Sequence, residues 1–230
     1  MLKKLLVISL LGAAAASTAQ AASPGFYVGA GIGQARYDDT IPTQIRDAYR
    51  NDPGYSFVSA SMVDDTDQAW KIFGGYRILP WLGVEFSWVD LGEVRSNFVL
   101  RSLVPLTNAN AVIDGRYKIS GPSGTVFGEL DFTDNFSGLL RVGLYNAKLD
   151  YSEGGLNADN SPHSYSHSDS TTKITYGLGL NVRVNPSWDV RLDWDRYTDV
   201  GRRFALRNET NGRFDHIDLI SLNLAYRFGQ

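Results

Sequence analysis

Apolar and polar side chains alternate with a period of two along many segments of this chain. Between residues 220 and 228, Ile, Leu, Tyr and Phe occupy every second position, and Ser, Asn, Ala and Arg lie between them. Residues 188–194 repeat the pattern with charges, because Asp189, Arg191 and Asp193 alternate with Trp, Val and Leu. Successive side chains of a β-strand point to opposite faces, so each segment has one apolar and one polar face. A sandwich core could not bury the charged face, whereas the apolar face of a membrane barrel contacts lipid.

Eight segments carry an apolar face of this kind, and they form the predicted strands. Their cores are residues 26–32, 70–78, 82–88, 126–132, 136–144, 174–184, 188–194 and 220–228. The connections alternate between short ones at 79–80, 133–135 and 185–187 and long polar ones at 38–68, 90–116, 152–172 and 199–215. In a membrane barrel the short turns face the periplasm and the long loops face outwards. The chain is therefore predicted to be all-β, an up-and-down transmembrane β-barrel of eight antiparallel strands, with one helical turn over residues 43–50 at its mouth.

The first residues predict secretion. Lys3 and Lys4 precede an apolar run over residues 5–16, and Ala19-Gln20-Ala21 supplies a small-x-small cleavage pattern. We therefore expect a signal peptide over residues 1–21 and a barrel domain over residues 22–230. No later run reaches the roughly 20 apolar residues that a membrane-spanning helix requires. The expected location is the outer membrane of a bacterial cell, reached by secretion through the inner membrane.

Charge and cysteine content narrow the possible partners. The chain has 22 basic and 25 acidic residues, and loss of Lys3 and Lys4 with the signal peptide makes the mature part more acidic. An acidic chain lacks the electrostatic footprint of a nucleic-acid-binding protein. There is no cysteine, so disulfides cannot stabilise the fold. We expect no nucleic-acid partner and no cofactor or metal.

Several short motifs together resemble the membrane domain of OmpA-like outer-membrane proteins. They are Phe73-Gly74-Gly75-Tyr76, the segment 81–91 with Glu85, Thr133-Asp134-Asn135 before Arg141, Arg191-Leu192-Asp193-Trp194, and the final Tyr226-Arg227-Phe228-Gly229-Gln230. The resemblance implies an eight-stranded barrel with a plugged polar interior, a role in envelope integrity and surface interactions, and at most a narrow gated pore. Longer family members continue into a periplasmic peptidoglycan-binding domain. This chain stops at Gln230, so peptidoglycan anchoring is not expected to carry over.

The inward faces of the predicted strands collect charges of both signs. They are Lys71, Arg77, Arg141, Arg183, Arg191 and Arg227 against Glu85, Glu129, Asp131, Asp189, Asp193 and Asp195. The lumen of an eight-stranded barrel is only wide enough for its own side chains, and buried charges are tolerated when they are paired. This predicts a salt-bridged plug.

In an alternative interpretation, five of these charged residues exchange ion-pair partners and open a thin path for ions: Lys71, Glu85, Glu129, Arg141 and Arg191. The resemblance places Glu85 and Arg191 at the positions of such a gate. It also places Asn181 where the family often has an acidic partner, which weakens the gate interpretation.

Two loops contain candidate chemistry. His163, Ser164 and His167 are residue types found in hydrolases and metal sites, but their position in a predicted loop favours a solvated segment. Four arginines cluster in the last long loop, and we predict that they contact lipopolysaccharide phosphates: Arg202, Arg203, Arg207 and Arg213. In the alternative, nearby acidic residues neutralise these arginines and the loop is merely solvated.

The leading functional hypothesis is therefore a structural and surface-interaction protein of the cell envelope rather than an enzyme. The alternative is transport, through a narrow ion pore or a path for small solutes. The expected partners are outer-membrane lipids and lipopolysaccharide, together with the periplasmic chaperones and the barrel-assembly machinery that fold such proteins. We expect the protein to be a monomer.

Overall fold

The structure, a computed structural model, describes residues 25–103, 109–201 and 213–229. Within these residues the chain forms nine strands and one helix. In chain order they are β1 (Gly25–Tyr37), α1 (Ile41–Ala48), β2 (Tyr55–Asp64), β3 (Thr66–Leu79), β4 (Leu82–Ser102), β5 (Asn110–Thr133), β6 (Phe136–Leu156), β7 (Pro162–Asn185), β8 (Trp188–Val200) and β9 (Phe214–Arg227). No described helix has the length and apolar character needed to span a membrane.

Eight of the strands close into a ring, which confirms the predicted barrel. Their order is β4-β3-β1-β9-β8-β7-β6-β5, and pairing between β4 and β5 closes the ring. Every neighbouring pair is antiparallel, including the pairing of the first and last strands through Tyr27 and Arg227. A closed ring leaves no open strand edge within it, as a lipid environment requires.

The ninth strand corrects the predicted first loop. Residues 55–64, expected to be polar loop, form β2, which pairs with the far part of β4 from Tyr55 opposite Ser102 onwards. Only Asp65 separates β2 from β3, so together they act as one long strand with a break. The break coincides with a register shift in β4 between Asp90 and Glu93, where Gly92 adopts a φ of +84°.

The predicted loops 90–116 and 152–172 are also largely strand. Apolar and polar residues continue to alternate there, but the apolar residues now face inwards and the polar residues outwards. In β5, Val126 faces outwards near the short turns, as a lipid-facing side chain should. Farther along the same strand Arg116 and Lys118 are exposed, whereas Tyr117 is buried. An apolar exterior suits lipid, and a polar exterior with an apolar interior suits water. The strands therefore extend beyond the membrane as a folded, water-exposed extension of the barrel.

Exposed apolar side chains mark the part of the outer surface that faces lipid. They include Phe86, Leu140, Leu178, Leu192 and Leu222 around the ring. Aromatic side chains stand at both ends of this band, with Trp70 and Trp88 at the outer end and Trp81, Trp188 and Phe228 at the end with the short turns. Such aromatic girdles sit at the two membrane–water interfaces.

Helix α1 caps the outer end of the barrel, as the prediction of a helical turn over residues 43–50 anticipated within two residues at each end. Its apolar side inserts Ile41 and Ile45, which are 2% and 1% exposed, into the barrel interior. Gln44 fixes the helix to the start of β9, because its amide donates to the carbonyl oxygen of Arg213 at 2.7 Å and accepts the Arg213 N–H at 2.9 Å.

Candidate functional site

The barrel interior contains two clusters of buried charges. The first, called here the upper ionic cluster, lies nearer the extracellular part and consists of Lys71, Glu85, Arg141, Arg191, Asp193 and Asp195. Lys71 Nζ lies 2.9 Å from both Asp193 Oδ2 and Asp195 Oδ2. Arg141 bridges the same two aspartates, at 2.9 Å to Asp193 Oδ2 and 2.8 Å to Asp195 Oδ1.

Arg191 completes the upper ionic cluster. Its guanidinium lies 2.7 Å from Glu85 Oε2 and 3.0 Å from Asp193 Oδ2. Asn223 adds a neutral donor to Asp193 Oδ2 at 2.9 Å. The three cations thus face three carboxylates, and pairing of this kind offsets the cost of removing charges from water.

The second set, called the lower ionic cluster, lies close to the short turns. Arg77 Nη2 is 2.6 Å from Glu129 Oε2, and Arg227 Nη2 is 3.1 Å from Asp189 Oδ1. Asn181 donates a hydrogen bond to Glu129 Oε1 at 3.4 Å, and it occupies the position where the resembled family often has an acidic residue. A neutral amide there can share a carboxylate that is already paired, whereas a second carboxylate would repel it.

A small aromatic layer separates the two ionic clusters. It consists of Tyr27, Phe73, Phe127, Leu139 and Ala225, all buried. The Tyr27 hydroxyl donates to Glu85 Oε2 at 2.9 Å, and the Arg191 guanidinium lies 4.5 Å from the centre of the Phe73 ring. The layer therefore closes the underside of the upper ionic cluster and also stabilises its cation through the ring face.

A larger apolar core, which sequence reasoning missed, fills the barrel above the upper ionic cluster. Its largest members include Phe98, Tyr117, Tyr145, Tyr197, Phe214 and Leu219, with Ile41 and Ile45 of α1 at the top. Burial raises the pKa of Tyr117 to about 12. The sequence signal for this core was the reversed alternation in residues 111–119 and 145–151, where the inward positions carry the apolar side chains.

Seven of the eight candidate interior residues lie in the two ionic clusters: Lys71, Arg77, Glu85, Glu129, Arg141, Arg191 and Asp193. The eighth, Arg183, is only half-buried and donates from Nη1 to the carbonyl oxygen of Asp134 at 3.1 Å, in a short turn. Asp131 was expected to face inwards, but it is exposed. Its strand loses regular pairing between Asp131 and Thr133 as the chain enters the turn, which explains the error.

The loop arginines can be placed only in part. Arg202, Arg203 and Arg207 lie outside the described residues. Arg213 is described, and its guanidinium lies 3.3 Å from Asp199 Oδ1 and 3.6 Å from Asp215 Oδ1. This arginine is therefore already paired with carboxylates.

The histidines expected in a solvated loop lie instead on β7. His163 Nε2 is 2.8 Å from Glu153 Oε2 on the neighbouring strand β6. Ser164 follows His163 directly in a strand, so their side chains point to opposite faces and cannot form a nucleophile–base pair. Among the residues that the structure describes, no group of three or more His, Cys, Asp or Glu could hold a metal ion.

Comparisons with known proteins find relatives that align with nearly the whole length of this chain. Residues 21–230 match a family model described as the OmpA-like transmembrane domain. The chain is 26% identical over 241 residues to outer membrane protein P5 of Haemophilus influenzae, and 27% identical over 236 residues to outer membrane protein A of Shigella flexneri. Both alignments include 100% of this chain but only 61% and 57% of those relatives, so the chain spans about three fifths of their length. Among solved structures, that of Ail, the attachment invasion locus protein of Yersinia pestis, aligns with 90% of this chain and 100% of its own, at 15% identity and a TM-score of 0.48.

Proposed function

The chain belongs to the OmpA-like transmembrane domain family, whose members are β-barrels of the bacterial outer membrane, and we propose that it is a closed structural barrel. In this role the lipid-facing band anchors the protein, and the water-exposed extension presents a rigid surface for contacts outside the cell. The observation that carries the proposal is the continuous filling of the interior, from the lower ionic cluster to helix α1.

The apolar core argues against the alternative of a narrow ion pore. Exchange of partners in the upper ionic cluster would free a charged path only through the middle of the barrel. An ion would still meet Tyr145 and Tyr197, which are 0% and 3% exposed, and then the buried side of α1. A cavity lined by Tyr27, Arg77 and Arg191 at the lower end has a volume of only about 10 Å³, the space of about one water molecule. This supports a plug rather than a gate.

The absence of catalysis is part of the same proposal. His163 faces Glu153, and Ser164 points to the other side of its strand, so neither forms the hydrogen-bonded constellation that a hydrolase requires. Lipid A of unchanged mass in cells that overproduce the protein is the expected result. A lipid A species that appears only with overproduction would contradict a non-catalytic role.

We further propose that the barrel makes contacts with lipopolysaccharide and other outer-membrane lipids, and that it folds through periplasmic chaperones and the barrel-assembly machinery as a monomer. The long lipid-facing band and the position of the water-exposed extension next to the outer leaflet support the proposed lipid contacts. The arginines at 202, 203 and 207 remain candidates for such contacts.

A deletion strain tests the structural role. We expect its envelope to admit a large antibiotic that the intact outer membrane excludes, and we expect the Arg191→Ala chain to restore the barrier only in part, because its barrel is less stable. Uptake of small nutrients is expected to stay unchanged. A strain with an intact barrier but reduced uptake of one small solute would contradict the proposal and favour transport.

A further inference from the structure

Two arginines on the outer surface of the water-exposed extension stand directly opposite each other. Arg95 on β4 and Arg116 on β5 are cross-strand partners, and both side chains are exposed. Like charges in this arrangement repel each other and destabilise a sheet. On its other side Arg95 faces Asp64 of β2, whereas the other cross-strand partner of Arg116 is the neutral Ser152. An anion between the two guanidinium groups would reduce their repulsion.

Two lysines extend this cluster on the same surface. Lys118 follows Arg116 by two residues on β5, and Lys148 lies on the neighbouring strand β6. The cluster of Arg95, Arg116, Lys118 and Lys148 is called the basic face. Lys148 Nζ is paired with Asp150 Oδ2 at 3.0 Å, and Arg95 Nε lies 3.3 Å from Glu93 Oε1.

The other two cations of the basic face have no such partner. Neither Arg116 nor Lys118 has a carboxylate oxygen within 4.0 Å among the residues that the structure describes. Asp150, the acidic residue opposite Lys118, is engaged by Lys148. Burial by itself would raise the pKa of Asp150. Hydrogen bonds from Ser168 and Lys148 and the charges of Lys148 and Lys118 outweigh this effect and lower the pKa, so Asp150 is ionised.

A surface depression adjoins the two unpaired cations. It has a volume of about 410 Å³, and its lining includes Arg116 and Lys118, the carboxylates of Glu93 and Asp150, and the serines Ser152, Ser166 and Ser168. Both carboxylates are already paired with cations, Glu93 with Arg95 and Asp150 with Lys148. Serine hydroxyls donate hydrogen bonds to phosphate and sugar oxygens, and guanidinium groups bind phosphate in a bidentate manner. The depression is therefore a polar site with the donors that a phosphorylated sugar needs.

The height of the basic face above the lipid band indicates where its ligand comes from. Trp88, at the outer end of the band, pairs with Pro122, and the chain then rises through Lys118 to Arg116. Four residues of strand span about 13 Å, or roughly 10 Å of height for a strand tilted by about 40°. This places Lys118 beside the headgroups of the outer leaflet and Arg116 beside the sugars just above them.

We propose that the basic face binds the phosphate groups of lipopolysaccharide in the leaflet that surrounds the barrel. The proposal rests on the proposed outer-membrane role, and it assigns a lipid contact to the side of the extension, separate from the last loop. Arg116 and Lys118 supply the main contacts, and the bound phosphate reduces the repulsion between Arg116 and Arg95.

The test compares two variants of the full chain that remove the same charge. Arg116→Gln/Lys118→Gln alters the basic face, and Arg36→Gln/Arg101→Gln removes two exposed cations elsewhere on the outer surface. Each protein is refolded in detergent and titrated with lipopolysaccharide, with the same lipopolysaccharide after phosphatase treatment, and with inorganic phosphate. A heat-dependent shift in gel mobility confirms that each barrel is folded.

For lipopolysaccharide, we expect the affinity of the basic-face variant to fall about tenfold and that of the control variant to change less than about twofold. Dephosphorylated lipopolysaccharide should bind wild type and both variants equally weakly, and millimolar inorganic phosphate should not compete. Arg95→Gln alone serves as a milder variant, and we expect an intermediate loss. We also expect no ion conductance from wild type or from any variant. Conductance from wild type would contradict the closed-barrel proposal without deciding whether the basic face binds lipopolysaccharide.

Equal losses of affinity in the two double variants would overturn the proposal, because they would indicate general attraction to a basic surface. Competition by inorganic phosphate as strong as that by lipopolysaccharide would also overturn it, since the site would then bind a soluble anion. Full affinity in the basic-face variant would exclude Arg116 and Lys118 as ligands.

Discussion

Arg191 and Glu85 lie 106 positions apart in the sequence and are joined across the barrel by hydrogen bonds of 2.7 Å and 3.3 Å. The same guanidinium contacts Asp193 and the ring of Phe73. One side chain thus connects the upper ionic cluster to the small aromatic layer beneath it. The interior depends on this residue more than on any lipid-facing aromatic side chain.

Arg191→Ala should therefore destabilise the barrel more than Trp194→Phe. The alanine leaves Glu85 and Asp193 without their shared cation, which costs about 3–5 kcal/mol for a broken buried pair. The phenylalanine keeps most of the contact area of Trp194. Urea midpoints in lipid vesicles measure the difference, and equal midpoints for the two variants would contradict a stabilising ionic plug.

The cap should depend on the buried side of α1. We expect Ile45→Ala to destabilise the docked helix by about 2–5 kcal/mol, because the side chain is buried. Arg46→Ala, on the exposed side of the same helix, should change stability by less than about 0.5 kcal/mol. The rate of trypsin cleavage after Arg50 reports the opening of the cap. Equal cleavage rates in both variants would show that α1 is not held by its apolar side.

Close packing between β1 and β9 requires a glycine at position 31. A side chain there would meet the Asn223 amide and the Leu222 carbonyl oxygen. We expect Gly31→Val to cost about 1–3 kcal/mol and to lower the folded yield. Gly154→Ala is the control, because the structure places nothing within 4 Å of an added Cβ there. Equal folded fractions on unheated gels would contradict this packing.

The arginines of the last loop offer an independent prediction. If they contact lipopolysaccharide, replacement of Arg202, Arg203 and Arg207 by Gln should reduce the lipopolysaccharide retained during purification and the thermal stabilisation that it gives. Arg213→Gln, which removes an arginine already paired with Asp199, is the matched control. Unchanged retention in the triple variant would mean that these arginines act only as solvated charges.

Much of the transmembrane part could be predicted from the sequence, because strict alternation in residues 188–194 and 220–228 assigns each side chain to one face. The partners across the lumen could not be predicted in this way. Lys71 meets Asp193 and Asp195 more than 120 positions away, and the alternation fixes the face of each residue but not its height in the barrel.

The water-exposed extension was missed for a related reason. Its outward residues, such as Arg116 and Lys118, gave the segment a polar composition that resembled a loop. The apolar residues Tyr117 and Ile119 alternate with these polar ones and face inwards, whereas the apolar residues of the transmembrane part face outwards. Only strand pairing above the lipid band distinguishes these two possibilities.

Single-channel recording of the purified full chain in planar lipid bilayers tests the closed barrel most directly. A large porin in the same membrane is the positive control, and the heat-dependent gel shift confirms that the inserted protein is folded. We predict no discrete conductance steps, because Tyr145, Tyr197 and α1 fill the barrel above the upper ionic cluster. Reproducible steps from the wild-type chain that disappear on boiling would contradict a closed barrel.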